Sequence, residues 1–359
     1  MGDEKVKIIN CSFNGNIKNE STYSATGGIL GVGYSSDCEI ENCKVSGKIE
    51  SKSSYAGVSG TGGIIGEGRG TVNVKKSYNK AEIEGSKNVG GIGNNVNYID
   101  ECYNEGKVTG EVSVGGIVGR SAKMITNSYN KGNINGKTNI GGISGDQYNG
   151  GQNELIFGCY NLGDIIGLEN CVGGIVGAIA STAVKNLTIE TCYNSGRIEG
   201  KAFIAGIIGN ISADYFKAVN CFNTGNITST TNSNVAGISL GTGYISSALI
   251  ISCYNTGNLQ SNGIKYGISC MRSDKNPIRN SYCLSTCGAK DTLAEKKTSE
   301  ELKKLVSVLD RKIKYVKDEE NNDIDVELSE NDERQNVWKI DSDNINDGYP
   351  ILSWQKNST

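Results

Sequence analysis

The chain has 359 residues, room for one large or two modest domains, with 49 glycines, 2 prolines and a net charge of −3 from 36 basic and 39 acidic side chains. That balance leaves no basic footprint for nucleic acid or an anionic membrane, and no apolar run reaches the length of a membrane span. Histidine is absent, which excludes Ser-His-Asp and Cys-His catalysis, HExxH zinc sites and histidine pH switches.

Met1, Gly2 and Asp3 do not form a signal peptide, and a repeat is under way by Val6. The natural protein is therefore expected to continue upstream, with any targeting signal or anchor outside this sequence. The repeat is easiest to see at CYN, beginning at Cys102. Its first residue recurs as Cys11, Cys43, Ser77, Cys102, Ser128, Cys159, Cys192, Cys221, Cys253 and Ser281. An aliphatic residue stands three positions earlier, from Ile8 to Ile278, and another six positions later, from Ile17 to Leu259. A VGGIVG-like segment follows. Its isoleucine recurs at Ile29, Ile64, Ile92, Ile117, Ile143, Ile175, Ile207, Ile238 and Ile268, each preceded by glycine. The spacing runs from 25 residues (Ile92 to Ile117) to 35 (Ile29 to Ile64).

Periods of that size indicate a solenoid in which each unit buries its face against the next. The units are β-branched, glycine-rich and free of a 3.6-residue stripe, so they are strands rather than helices. Three strand signals per unit predict a right-handed parallel β-helix of nine to ten coils with three short strands each, the hand following the usual preference of parallel crossovers. Stacking at ~4.8 Å makes a rod about 45 Å long. A glycine segment repeated nine times is not a phosphate loop, since no helix with Lys-Ser/Thr follows it. Its glycines are expected to permit a sharp corner and close approach of coils.

After Gly288 the pattern stops. Thr298 and Glu301 have capping-box spacing ahead of Leu302, Leu305, Val306, Leu309 and Ile313, which fall at helical intervals. Residues 317–336 are highly charged and read as a loop or hairpin, and both tryptophans, Trp338 and Trp354, follow. The division is thus a solenoid over 1–288 and a helix-containing capping segment over 289–359, expected to cover the open last coil.

The unit CYNxGxIxGxxxVGGIVG resembles the GLUG repeat over roughly residues 6–288. The resemblance implies a β-solenoid of a large secreted or surface protein of bacteria, often linked to adhesion, as in the region ahead of the catalytic domain of IgA-specific metallopeptidases. It does not imply a protease here, because the histidine ligands are missing. In such proteins an ending like GYPILSWQ closes the repeat region. The first two coils depart from the pattern, with Cys11-Ser12-Phe13 and Cys43-Lys44-Val45 in place of CYN, and the last has Tyr266 where glycine or alanine otherwise stands.

Free alternation of serine with cysteine at the anchor favours small, packed, reduced thiols over disulfides. Cys38, Cys171, Cys270, Cys283 and Cys287 lie off that ladder; Cys283-x3-Cys287 with Cys270 offers the spacing for zinc or for one bridge, but no fourth zinc ligand is evident, and no metal site or cofactor is assigned. GGISGD at 141–146 is a single calcium-repeat-like segment without the tandem pattern such sites need. Carboxylates are the only catalysts left, and Asp100, Glu101, Asp146, Asp164, Glu190 and Asp214 form no repeated pair. The coils differ in length at residues 19–26, 51–61, 146–154, 178–186, 210–216 and 241–247, which are expected to be loops. Tyr23, Tyr34, Tyr55, Tyr148, Tyr215 and Tyr244 in or beside these loops are the candidate binding residues, since tyrosine joins contact area to a polar tip. The tyrosines of CYN itself are expected to pack as a ladder.

The expected function is a non-enzymatic, structural and adhesive segment of a larger bacterial cell-surface protein. It binds host protein or glycan through loops or serves as a rigid stalk. It is expected to be a monomer, without nucleic-acid partners or membrane insertion. The rival readings are a polysaccharide-active β-helix enzyme and an inert spacer before a catalytic domain.

Overall fold

The computed structural model describes residues 5–35, 37–55, 59–148, 153–179, 186–212, 215–241, 247–271, 278–290, 293–319, 321–329 and 334–355. The chain winds as a β-solenoid whose strands pair in parallel with the equivalent strand of the next coil. One face is a ten-stranded sheet running from Val6–Ile9 to Ile278–Arg279. A second holds the CYN strands, such as Tyr103–Asn104, and the strands after them, such as Val108–Thr109. A third is a nine-stranded sheet through Val112–Gly115. A fourth, broken face carries Val118–Arg120 and its equivalents.

A typical coil therefore has five short strand segments, not three. The VGGIVG run bends at its second glycine, so that Val112–Gly115 and Val118–Arg120 lie on different faces. An added Cβ at Gly116 would lie 2.2 Å from Gly142 O of the next coil and 2.4 Å from Asn130 Cγ. Only glycine fits so close an approach.

The aliphatic columns turn inward as their spacing requires. Ile64, Ile92, Ile117, Ile143, Ile175, Ile207, Ile238 and Ile268 are fully buried, as are Ile40, Val74, Ile99 and Ile125 before the anchor. The anchor thiols are buried from Cys43 to Cys253 and donate to carbonyls two residues back, as Cys102 Sγ does to Asp100 O at 3.3 Å. The anchor cysteines from Cys11 to Cys253 form no disulfide. Burial pushes Cys102 up to about 12, which keeps it protonated and unreactive.

Every anchor is preceded by a left-handed residue, with φ between 47° and 63° from Asn10 to Asn280. This turns the chain from the first face to the second. Asparagine holds five of those ten corners and glycine one (Gly158), which suits a conformation that costs other L-residues about 1–2 kcal/mol. Thr191, β-branched, tolerates it because the coils on either side impose it.

The third residue of CYN forms a column that nothing in the aliphatic pattern announces. Asn79, Asn104, Asn130, Asn161, Asn194, Asn223 and Asn255 are completely buried. Each amide from Asn79 to Asn223 donates to the Oδ1 of the next at 2.7–2.8 Å. The same nitrogen donates to a carbonyl two residues on, as Asn104 does to Gly106 O at 2.7 Å. A buried amide so satisfied holds one coil in register on the next.

The core closes at its far end with Cys283, Cys287 and Ala294, and Glu295–Lys297 pairs in parallel with Tyr282–Leu284. The remaining tail runs back along the side of the rod. Its two short helices, Ser299–Lys303 and Val306–Leu309, bring Leu302, Leu305 and Leu309 together with Trp338 and Leu352 onto Tyr193, Phe222, Tyr254 and Tyr282. The capping box at Thr298 and Glu301 is present. The charged stretch forms an antiparallel hairpin, Ile313–Lys317 with Asp323–Leu328, whose Val326 packs on Val219, Leu249 and Ile251 of the first face.

Candidate functional site

Two consecutive coils insert loops at the corner between the second and third faces. Asn19 fixes the first: its Oδ1 accepts from Ser21 N at 2.9 Å and its Nδ2 donates to Thr26 Oγ1 at 2.7 Å, closing the neck. The second loop lies on the first, with Ser54 N and Tyr55 N both donating to Thr22 O at 3.1 and 3.0 Å. This brings Tyr23 and Tyr55 together, ring centroids 5.1 Å apart and tilted 44°. The rings are 69% and 53% exposed, so their contact leaves most of both surfaces free.

A groove of about 490 Å³ opens at the same corner of the rod, lined by Lys18, Glu20, Glu50, Lys52, Glu84 and Glu111 among others. Its charges alternate. Glu20 accepts from Lys18 at 2.7 Å and also from Lys52. Those two ammonium groups hold its carboxyl down at about 2. Lys137 reaches Glu111 at 2.6 Å.

The other tyrosines are not brought to this corner. Tyr34 stands alone in ring contacts among the described residues and is 71% exposed. Tyr148 lies under the Arg120 guanidinium, 3.8 Å from the ring centroid, a contact that fixes the side chain against the rod. Tyr215 is half-buried, its hydroxyl donating to Asp318 of the tail hairpin at 3.4 Å. Tyr244 lies outside the described residues. The loop candidates thus resolve into one exposed pair and three separated rings.

The CYN tyrosines form a continuous stack. Tyr78, Tyr103, Tyr129, Tyr160, Tyr193, Phe222 and Tyr254 follow one another at 4.7–5.0 Å with ring planes within 12° of parallel. The tail covers Phe222 and Tyr254 completely and leaves Tyr78, Tyr103 and Tyr129 half-exposed. Trp354 sits beside the stack, 5.8 Å from Tyr160 and 5.9 Å from Tyr193. The tail's use of the stack was not legible, because the sequence links the two only through a shared surplus of aromatic residues.

The carboxylates stay apart. Asp100 and Glu190 share one outward column of the first face, but Thr126 and Phe157 stand between them. Asp100 is occupied by Thr126 Oγ1 at 2.6 Å and Asn127 Nδ2 at 3.0 Å. Asp164 pairs with Arg197 on another face, and Asp214 lies outside the described residues. Among the described residues no group of three or more Cys, Asp or Glu is placed to hold a metal ion, and no helix is long and apolar enough to cross a membrane.

The family model for the GLUG motif matches residues 22–50. That window runs from Thr22 in the first inserted loop to Glu50 in the strand Lys44–Ser51 of the second coil, slightly less than one period of the solenoid. It is consistent with a GLUG-repeat protein. No curated protein and no solved structure matches the chain.

Proposed function

We propose that this chain is a rigid, adhesive segment of a bacterial cell-surface protein, without enzymatic activity, that engages a surface protein or glycan through the loops of its first two coils. The β-solenoid and the GLUG motif support the structural half of this reading: a body of repeated coils that sets distance and orientation. The observation that carries the adhesive half is the exposed pair of Tyr23 and Tyr55 on adjacent inserted loops. The CYN aromatic side chains are stacked along the rod. Here two are lifted clear of it by loops the coils do not need, beside a groove of alternating charge.

Binding arrays of glycans and extracellular proteins test the proposal, with the intact chain set against the Tyr23→Ala/Tyr55→Ala double variant. Binding that the double variant loses supports the loops as the contact. Binding to nothing on either array leaves the spacer reading in its place. Release of reducing ends from pectin-like or mucin-like polymers would replace both with the enzyme reading.

A further inference from the structure

Where the tail meets the tyrosine stack it leaves a cleft of about 390 Å³, within the range of small-molecule sites. Tyr129, Tyr160 and Tyr193 form one side, and Trp354 with Ile345 the other. Among the described residues, none of the side chains lining the cleft carries a formal charge. This is unusual on a surface otherwise laced with Lys–Glu pairs such as Lys80–Glu105 at 2.9 Å.

Polar groups converge on the cleft as well. The Trp354 Nε1–H is buried and has no acceptor among the described residues, an expensive state for an indole donor. Gln355 borders the same space, and Asn127 and Ser195 stand at its exposed rim. Burial pushes Tyr129 and Tyr160 up to about 12, and their phenols, neutral at physiological pH already at the ordinary value, stay hydroxyls even in alkaline solution. Aromatic walls, uncharged hydroxyl and amide partners and an unsatisfied donor suit a ligand that is neutral, rich in hydroxyl groups and apolar along its ring edges.

We infer that the cleft between the tyrosine stack and Trp354 is a binding site for a neutral carbohydrate. The site is distinct from the Tyr23–Tyr55 loops and does not depend on them. Its aromatic floor is built by the repeat and its wall by the tail, so it exists only where the tail is docked.

Calorimetric titration of the full chain with linear oligomers of N-acetylglucosamine, galactose and mannose, and with polygalacturonate as a charged comparator, tests the inference. The expected result is saturable binding of at least one neutral oligomer. Ser195→Trp, at an exposed rim position, blocks the cleft, and Trp354→Phe removes the donor; each weakens binding by about tenfold or more, a shift of about 1.4 kcal/mol. Melting temperatures of both variants stay at the parent value. Tyr23→Ala/Tyr55→Ala leaves the affinity unchanged, which separates this site from the loop contact. No neutral oligomer saturating up to about 10 mM, binding confined to polygalacturonate, or full affinity in Ser195→Trp would each overturn it.

Discussion

The near and far coils of the rod share their interior from Asn79 to Asn255 and differ on the outside. In the first face, Glu41 and Ile251 occupy the same outward column, as do Glu39 and Leu249. At the near end this column is charged, with Lys76 3.4 Å from Glu41 and Lys7 3.6 Å from Glu39. At the far end it is aliphatic, and Val326 of the tail hairpin covers it. The second face shows the same change, from half-exposed Tyr78 and Tyr103 to fully buried Phe222 and Tyr254. Inward residues thus specify the coil, and outward residues specify what lies against it.

If the interior is uniform, equivalent interior changes must cost the same at both ends. Gly116→Ala pushes a Cβ against Gly142 O and Asn130. Gly206→Ala does the same against Gly237 O at 2.1 Å and Asn223 Cγ at 2.5 Å. Each is expected to destabilise by about 3 kcal/mol or more, the upper range for overpacking. Chemical denaturation of the two variants checks this, and a difference above about 1 kcal/mol between them would break the premise of a uniform interior.

Trp338 has no counterpart at the near end. Its ring lies 6.0 Å from Phe222 and 5.6 Å from Tyr254, and its Nε1 donates to Asn220 Oδ1 at 2.9 Å. Trp338→Ala is expected to cost about 3 kcal/mol, the lower range for a buried tryptophan, and to release the tail. Hydrogen exchange should rise across 299–355 and over Phe222–Asn223, while the strands before Tyr129 keep their protection. Uniform loss of protection along the rod would show that the tail stabilises the whole solenoid.

The interior was largely legible because its signal repeats. Isoleucine and small anchor residues return in every coil, so their columns could be aligned within one chain. What escaped was whatever a single apolar run or a mixed position conceals. VGGIVG reads as one strand, since nothing in its composition marks the bend between Val112–Gly115 and Val118–Arg120. The left-handed corner carries its asparagine signal at only half its positions, the others including Lys76, Glu101 and Thr191. The tail was expected to cover the open last coil, and Ala294 with the strand Glu295–Lys297 lies against it; its return along the side depends on contacts such as Val326 with Val219, remote in sequence and outside any period. The replacement of Glu39 and Glu41 by Leu249 and Ile251 was present in the alternation of the strands, as a polar face turning apolar. Among the loop tyrosines, only the meeting of Tyr23 and Tyr55 required the stacking of adjacent inserts to be known.

A buried carboxylate sets a pH dependence on the near half. Glu67 is nine-tenths buried, and desolvation raises it to about 7 against the pull of Arg69, Asn95 and Arg120. The unfolded chain releases this proton near the ordinary value of 4.5, and the folded chain holds it until about 7. Between those pH values the folded state binds more protons, so stability falls as pH rises and levels off above about 7. The expected loss is on the order of 1–3 kcal/mol. Glu67→Gln should flatten that slope in melting curves taken from pH 4 to 8; an unchanged slope would place its source elsewhere.

The smallest effect falls on the outer charges of the first coils. Glu41 and Lys76 are both solvent-accessible, at 32% and 58% side-chain exposure. Water and salt replace most of what such a pair contributes, so Glu41→Ala should change stability by no more than about 0.5 kcal/mol. Ile251→Ala, in the same column, removes a fully buried side chain and should cost about 2–5 kcal/mol. Denaturation of the two variants therefore measures the contrast at one register position. A cost near 2 kcal/mol for Glu41→Ala would mean that the near-end column is also part of the fold. A cost near zero leaves its charges with a different task, keeping this face of the first coils hydrated and unpaired while the far end accepts the tail.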